Sequence, residues 1–404
     1  MALIPQHLLL LPPPPWPATA ETVQAAYKDA LTAVLKQLTF DTRSSTPGAT
    51  LDIALPFPYA FEHLSLPRVS VYEPTQALVA NVYKLICLIA AREKINVEDA
   101  EGIDVRIFIV ARPRHDDAPE GASLPSGRGS LFGPVIDMPT LARCGRPWQK
   151  VFAVQSEHGE KVLNQFLRHQ DGRVKTQSVA GGIVQVNSSE AGGDLTADEA
   201  AHHTSIAVGG TWDHIHIGHK LLLTMFAFLL KPDNGGEEPR SLTVGITGDE
   251  LLVNKKFAEC LESWDERKNS ALSFLRAIMD FRPDAEVKTT ELNEPGPNGH
   301  AVHAVLGSNL TFKLVEIGDP FGPTITDESI SALVLSAETR AGGKAVNDKR
   351  EEKGWPALQV LEVDVLDAGE AQQGGNNSDS FESKLSSTDI REAISKRAKI
   401  RSKA

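Results

Sequence analysis

A chain of 404 residues is long enough for two hydrophobic cores, and 41% hydrophobic with 23% charged residues is ordinary for a globular protein in water. The formal net charge of −12 argues against general nucleic-acid binding, so an anionic ligand has to be met by a few local cations and helix ends. Three scattered cysteines, Cys87, Cys144 and Cys260, form neither a disulfide framework nor a metal motif and point to a reducing compartment.

No Lys or Arg precedes Lys28, which speaks against a secretory or transit leader, and Leu8 to Leu11 is too short to span a bilayer and reads as a buried strand. Cytoplasm is the expected location, with neither membrane nor nucleic acid as partner. The apolar stripe Val23, Ala26, Leu31, Val34 and Leu35 predicts a helix over 21–38, and a second is expected over 76–92. A strand is expected over 104–110, then a strand and helix over 148–167, with loops at 42–50 and 112–133. Residues 1–185 therefore read as a separate, smaller α/β or α+β domain of unknown role. A polar linker covers 186–202. From 203 to 404 strands (205–209, 242–247, 286–290, 312–317, 331–335, 358–363) alternate with helices (217–230, 265–281, 342–353, 388–399). That alternation predicts a Rossmann-like domain with a parallel sheet and a ligand crevice at the strands' C-terminal ends. Ala368 to Ser380 is polar and low in complexity, and is expected to be a disordered insertion.

Within that second domain, Ser205 to Val208 is a short apolar strand followed by Gly209-Gly210-Thr211-Trp212-Asp213-His214-Ile215-His216-Ile217-Gly218-His219. Paired glycines let backbone N–H groups approach a phosphate, and the helix that starts near Ile217 offers its N-terminus to an anion. His216 and His219 share one face there, with Gly218 leaving the phosphate chain unobstructed. Two helix-cap histidines or a zinc site would need the same H-x-x-H spacing, but no third ligand is suitably spaced for zinc. His214 reads as a loop residue. The reading is a nucleoside triphosphate site at which the α-phosphate is attacked.

This stretch resembles the G-x-[FW]-D-x-x-H-x-G-H signature of the nucleotidylyltransferase superfamily, and Leu385-Ser386-Ser387-Thr388-Asp389-Ile390-Arg391 resembles its I-S-S-T-x-x-R signature. Between them Asp319 to Pro323, Ser336 to Thr339 and Asn347 to Arg350 are similar to segments of archaeal and eukaryotic phosphopantetheine adenylyltransferases. The resemblance covers about residues 203–400. It implies transfer of AMP from ATP to 4′-phosphopantetheine, giving dephospho-coenzyme A and pyrophosphate, with magnesium accompanying ATP and no protein metal site. It also implies His219 as the catalytic histidine, His216 as its phosphate-binding partner, and a catalytic lysine that spacing sets at Lys255, with Lys256 as the alternative.

Gly209, Gly210, Thr211, Asp213, His216, Gly218 and His219 would bind ATP with Ser386, Ser387 and Thr388, and Arg391 would reach the β- and γ-phosphates. The Ser-Ser-Thr hydroxyls would equally serve as a helix cap. Thr211, Lys255, Asp319 and Glu338 are expected on the acceptor side, Asp319 alternatively as a loop cap, while Arg340 and Lys344 have no assigned role. A cytidylyltransferase, a nicotinamide mononucleotide adenylyltransferase and a non-catalytic scaffold for coenzyme A enzymes are the rival readings. With no G-x-x-x-x-G-K-[ST] loop present, the next step of the pathway is expected of another protein, with which this one would associate.

Overall fold

Aliphatic runs and amphipathic stripes alternate along the first half of the chain and fold as a parallel sheet dressed with helices. The structure is a computed structural model and describes residues 4–43, 48–58, 66–98, 101–112, 131–184, 201–233, 235–283, 286–296, 298–364 and 386–401. The expected linker core at 187–199 and the insertion at 368–380 lie outside the described residues. Contacts divide the chain into two units. The first comprises Met1–His202 with Ala227–Gly236 and Arg276–Ala285; the second comprises His203–Phe226, Glu237–Leu275 and Glu286–Ala404.

In the first unit β1 (Gln6–Leu10), α1 (Ala20–Arg43), β2 (Ala49–Pro56), α2 (Tyr72–Glu93), β3 (Ile103–Val110), β4 (Val135–Ile136), α3 (Met138–Arg143), β5 (Trp148–Gln155), α4 (Glu157–His169) and β6 (Thr176–Ala180) follow in order. The sheet order is β4-β3-β2-β1-β5-β6 and every pairing is parallel, so the unit is α/β. The predicted stripe on α1 is fully buried. Strand β2 was not expected. Buried on both faces, it shows no alternation, and Asp52 at its middle disguises it further. That carboxylate is fully buried and accepts from Arg146 at 3.1 Å and from the Trp148 indole at 2.9 Å. A 3₁₀ turn, Arg68–Val71, leads directly into α2. The continuous helix 68–93 is long and apolar enough to cross a membrane by composition, with 56% of its apolar window buried inside the fold.

In the second unit β7 (Ser205–Gly210), α5 (Ile217–Phe228), β8 (Arg240–Thr247), α6 (Trp264–Met279), β9 (Lys288–Asn293), β10 (His300–Leu306), β11 (Leu310–Ile317), β12 (Ala332–Ser336), α7 (Arg340–Glu352), β13 (Gln359–Val363) and α8 (Ser387–Arg401) are present. Their sheet order is β13-β12-β7-β8-β11-β10-β9. The expectation of a wholly parallel sheet is corrected: β10 runs antiparallel to both β9 and β11. Only three residues separate β10 from β11, and Gly307 takes φ +65° there. So short a link makes a hairpin, because a parallel return needs a crossover of a dozen residues or more. The strands β13, β12, β7, β8 and β11 are parallel, so their C-terminal ends share one rim.

Candidate functional site

At that rim a cavity of about 900 Å³ opens within the second unit. Its walls include Gly209 and Gly210 at the end of β7, Thr211 after it, Lys255 after β8, Asp319 after β11, Glu338 after β12, and Ser386, Ser387, Thr388 and Arg391 of the second signature. His216, Gly218 and His219 line it from the start of α5. Of the residues expected to act, only Asp213 is not on the wall.

The turn between β7 and α5 is built around Trp212. This side chain is fully buried and donates its indole N–H to the Gly245 carbonyl at 2.9 Å. A Cβ at Gly210 would stand 3.0 Å from the indole, whereas one at Gly209 would meet nothing within 4 Å. The two glycines therefore differ: one makes room for tryptophan, the other leaves open space. Trp212 and His214 both hold positive φ, +59° and +48°, an uncommon conformation for such residues that flanks Asp213.

The His216 and His219 rings stack with centroids 4.0 Å apart, and Trp212 tilts against His219 at 5.3 Å. Gly218 has a second use, since a Cβ there would come within 3.1 Å of the His216 ring. Its amide donates to His216 Nδ1 at 3.2 Å, which places that ring's proton on Nε2. Burial pushes His216 down to about 4, with Lys220 and His214 adding to the shift. His219 is held well below its usual value by burial and by His216, with Asp213 opposing. Both imidazoles are neutral at pH 7, so each offers a hydrogen bond rather than a charge. His219 Nδ1 is buried without a partner.

The two signatures are joined through Asp213, whose side chain is fully buried. One carboxylate oxygen accepts the Glu262 amide at 2.9 Å, and the other pairs with Arg391. Arg391 also donates to the Lys256 carbonyl at 3.0 Å and to Thr388 Oγ1 at 3.2 Å. One donor on each of its three nitrogens is thus engaged by a protein group, and the residue also reaches the cavity wall. Ser387 Oγ donates to the Asp213 carbonyl at 2.8 Å, while Ser386 Oγ accepts the Asp389 amide at 3.3 Å as a helix cap. Capping and cavity lining coexist in this motif.

Lys255 lines the cavity and Lys256 does not. Asp319 caps its own loop, accepting the Phe321 and Gly322 amides at 2.7 and 2.8 Å, while keeping a place on the wall. Arg340 pairs with Glu362 and Lys344 with Asp348, and neither lines the cavity. His214 points away from it and donates to the Cys260 carbonyl at 2.8 Å. Asp213, His214 and Glu262 place ligand-type atoms within 4.8 Å of one another. Those atoms are already bonded: the Asp213 oxygens as above, and Glu262 Oε2 to the His214 amide at 2.7 Å.

Two arginines have roles that the sequence reading did not assign. Arg267 is fully buried and donates to the Thr211 carbonyl at 2.7 Å, the Glu262 carbonyl at 3.0 Å and Asp249 at 2.5 Å. Arg350 is buried beneath carbonyls of Thr324, Asp327, Glu328, Ile330 and Pro356, fixing the loop that follows Asp319. The available signal was position: Arg267 shares a helical stripe with Trp264, Ala271 and Phe274, and Arg350 follows Gly343 and Val346 at core spacing.

Residues 1–187 match a family model described as a domain of unknown function (DUF8446). The chain is 37% identical over 193 residues to an uncharacterized protein of Schizosaccharomyces pombe, a match covering 48% of each chain. It is 36% identical over 188 residues to a phosphopantetheine adenylyltransferase of Saccharomyces cerevisiae, covering 46% of this chain and 48% of that one. A phosphopantetheine adenylyltransferase of Thermococcus kodakarensis is 27% identical over 164 residues, 41% of this chain and 76% of that one. The matches thus span about half the length of the two yeast relatives. Partial homology to phosphopantetheine adenylyltransferases is accompanied by two α/β sheets, one parallel and one mixed.

Proposed function

We propose that the second unit is an adenylyltransferase, joining AMP from ATP to 4′-phosphopantetheine and releasing pyrophosphate. The observation that carries this reading is the stacked, neutral histidine pair at the start of α5, facing one cavity with Lys255 and the Ser-Ser-Thr hydroxyls. The named relatives support the choice of acceptor.

The attacking group is a phosphate oxygen, an anion at neutral pH, so the site needs no strong base. What it has to supply is alignment of two anions and relief of charge on the α-phosphate. The N–H of His216 on Nε2 suits donation to a phosphate oxygen, and His219 stacked against it would meet the α-phosphate. Lys255 supplies the cation that draws the two anions together. The start of α5 and the start of α8 offer unpaired amides to the remaining phosphates. Arg391 holds the two signatures in register through Asp213, and the second N–H on each of its terminal nitrogens would be left for a phosphate.

Magnesium belongs to the proposal as the ion a triphosphate brings. Among the described residues the acids on the cavity wall are Asp319, Glu338 and Asp364, and Asp319 is bonded to its own loop. That donor set fits an ion held mainly by phosphate oxygens, where it would neutralise charge on the leaving pyrophosphate. A cytoplasmic location and association with other coenzyme A enzymes complete the reading.

The test is pyrophosphate release from ATP by the purified full chain. Release is expected with 4′-phosphopantetheine and not with nicotinamide mononucleotide, and CTP should replace ATP poorly. Turnover with another acceptor or with CTP would redirect the reading within the nucleotidylyltransferases. No acceptor-dependent pyrophosphate at all would refute it.

A further inference from the structure

The helix 68–93 of the first unit opens on a basic residue, Arg68, preceded by Pro67 with no side-chain cap. A cation at this end of a helix works against the macrodipole, which already places about half a positive charge there. Arg68 is only 5% exposed, and its Nη1 is buried with no hydrogen-bond partner. It forms no ion pair among the described residues; the ring of Phe228, at the end of α5 in the stretch Ala227–Gly236 that belongs to the first unit, lies 5.2 Å from the guanidinium. Glu73, the acid of the first turn, is exposed and not paired with it. Arg68 holds the first position of that helix, beside first-turn amides that lack a side-chain cap.

A guanidinium buried without a counter-ion is strongly unfavourable, since arginine does not shed its proton in proteins. Burial lowers Arg68 only to about 10, which leaves it charged at pH 7. We propose that the first unit binds a phosphate-bearing anion at Arg68, against the N-terminus of helix 68–93. Guanidinium and helix end together present about +1.5 charges, closer to a phosphate dianion than to a single carboxylate. The position agrees with the sheet: Arg68 lies in the connection after β2, on the C-terminal rim of a parallel sheet, where such folds bind ligands. This site is separate from the cavity of the second unit and does not depend on the adenylyltransferase reading.

The test compares the melting of the full chain with that of Arg68→Met, in low-salt buffer and with inorganic phosphate. In buffer alone the variant should melt no lower than the parent, because an apolar side chain replaces an unpaired charge. Phosphate at about a hundredfold over its Kd should raise the parent's Tm by roughly 5–10 °C more than the variant's. Taking the difference removes any phosphate bound elsewhere. Equal phosphate shifts in the two proteins would overturn the proposal, as would acetate stabilising the parent as strongly as phosphate. Phenyl phosphate distinguishes the sources. A shift as large as orthophosphate's indicates the head of an organic monoester, and none indicates the free ion. Should Arg68→Met not fold, parent crystals soaked in selenate decide the matter: an anomalous peak beside the Arg68 guanidinium is expected, and its absence would overturn the assignment.

Discussion

Each unit sends a central parallel strand into a turn and then a helix, β1 to α1 in the first and β7 to α5 in the second, yet the two turns are chemically opposite. After β1 comes Leu11 followed by Pro12, Pro13, Pro14, Pro15, Trp16 and Pro17, a stretch nearly without backbone N–H groups. Strand β7 itself ends in two glycines, followed by a threonine and a histidine pair, with open space beside Gly209. Parallel-sheet topology alone therefore does not place amide donors at the rim; the first turn decides whether they exist. In the first unit a buried guanidinium with no ion pair among the described residues, Arg68, sits one strand over.

Both units also bury an Asp–Arg pair, Asp52 with Arg146 and Asp213 with Arg391. Removing either arginine strands a fully buried carboxylate, and breaking such a pair costs about 3–5 kcal/mol. Arg146→Met and Arg391→Met should lower unfolding free energy by similar amounts in urea titrations. Only Arg391→Met should also abolish turnover, because only its pair joins the two signatures. Unimpaired turnover in Arg391→Met would break the claimed link between that pair and the cavity.

The histidines give the next largest effect. His219→Ala should reduce kcat by about 10²–10³-fold, roughly 3–4 kcal/mol, with little change in KM for ATP, as expected for a donor used chiefly in the transition state. A folded variant with more than about a third of parental kcat would remove His219 from the chemistry. Lys255→Met should slow kcat by about 10–100-fold, the range for a lost charge-assisted hydrogen bond. Lys256→Met should stay close to the parent, since its side chain is not on the cavity wall. The reverse ranking would shift the register of this loop by one.

The legibility of this chain followed the range of its interactions. The histidine spacing and the start of α8 are local and lie where the sequence reading expected them, while the paired glycines, expected as a turn, close strand β7 instead. Strands β2 and β10 were hidden for opposite reasons, one by burial of both faces around Asp52, the other by a hairpin inside an apparently parallel pattern. The value of Gly218 as room for the His216 ring, and of Gly210 as room for Trp212, required knowing where those rings fold back. Arg267 and Arg350 look like surface charges until their carbonyl partners, up to 56 residues away in sequence, are seen around them.

A smaller effect concerns pH. His216 falls from 6.5 to about 4 on folding, so between those values the unfolded chain binds the extra proton. The stabilisation from keeping this ring neutral is complete above about 6.5 and is lost as pH falls toward 4. Denaturation midpoints of the parent should drop over that window, and those of His216→Gln should drop less. His7 in the first unit is also lowered by burial, so His7→Gln should flatten the profile too. Parallel profiles for parent and His216→Gln would mean the ring is not held neutral.

The finest comparison lies within the β7 turn itself. Gly210→Ala forces a Cβ to 3.0 Å from the buried Trp212 indole, which also holds the Gly245 carbonyl and packs on His219. Overpacking of this kind costs about 1–3 kcal/mol, so the variant should melt lower and lose kcat because the histidine's support has moved. Gly209→Ala places its methyl in open space, and its stability should match the parent within about 0.5 kcal/mol. If that space is where the triphosphate passes, the same methyl should raise KM for ATP several-fold with kcat nearly unchanged, since ground state and transition state meet it alike. An unchanged KM would mean that the phosphates run elsewhere along the cavity, and the open space beside Gly209 would then not separate this turn from its proline-filled counterpart.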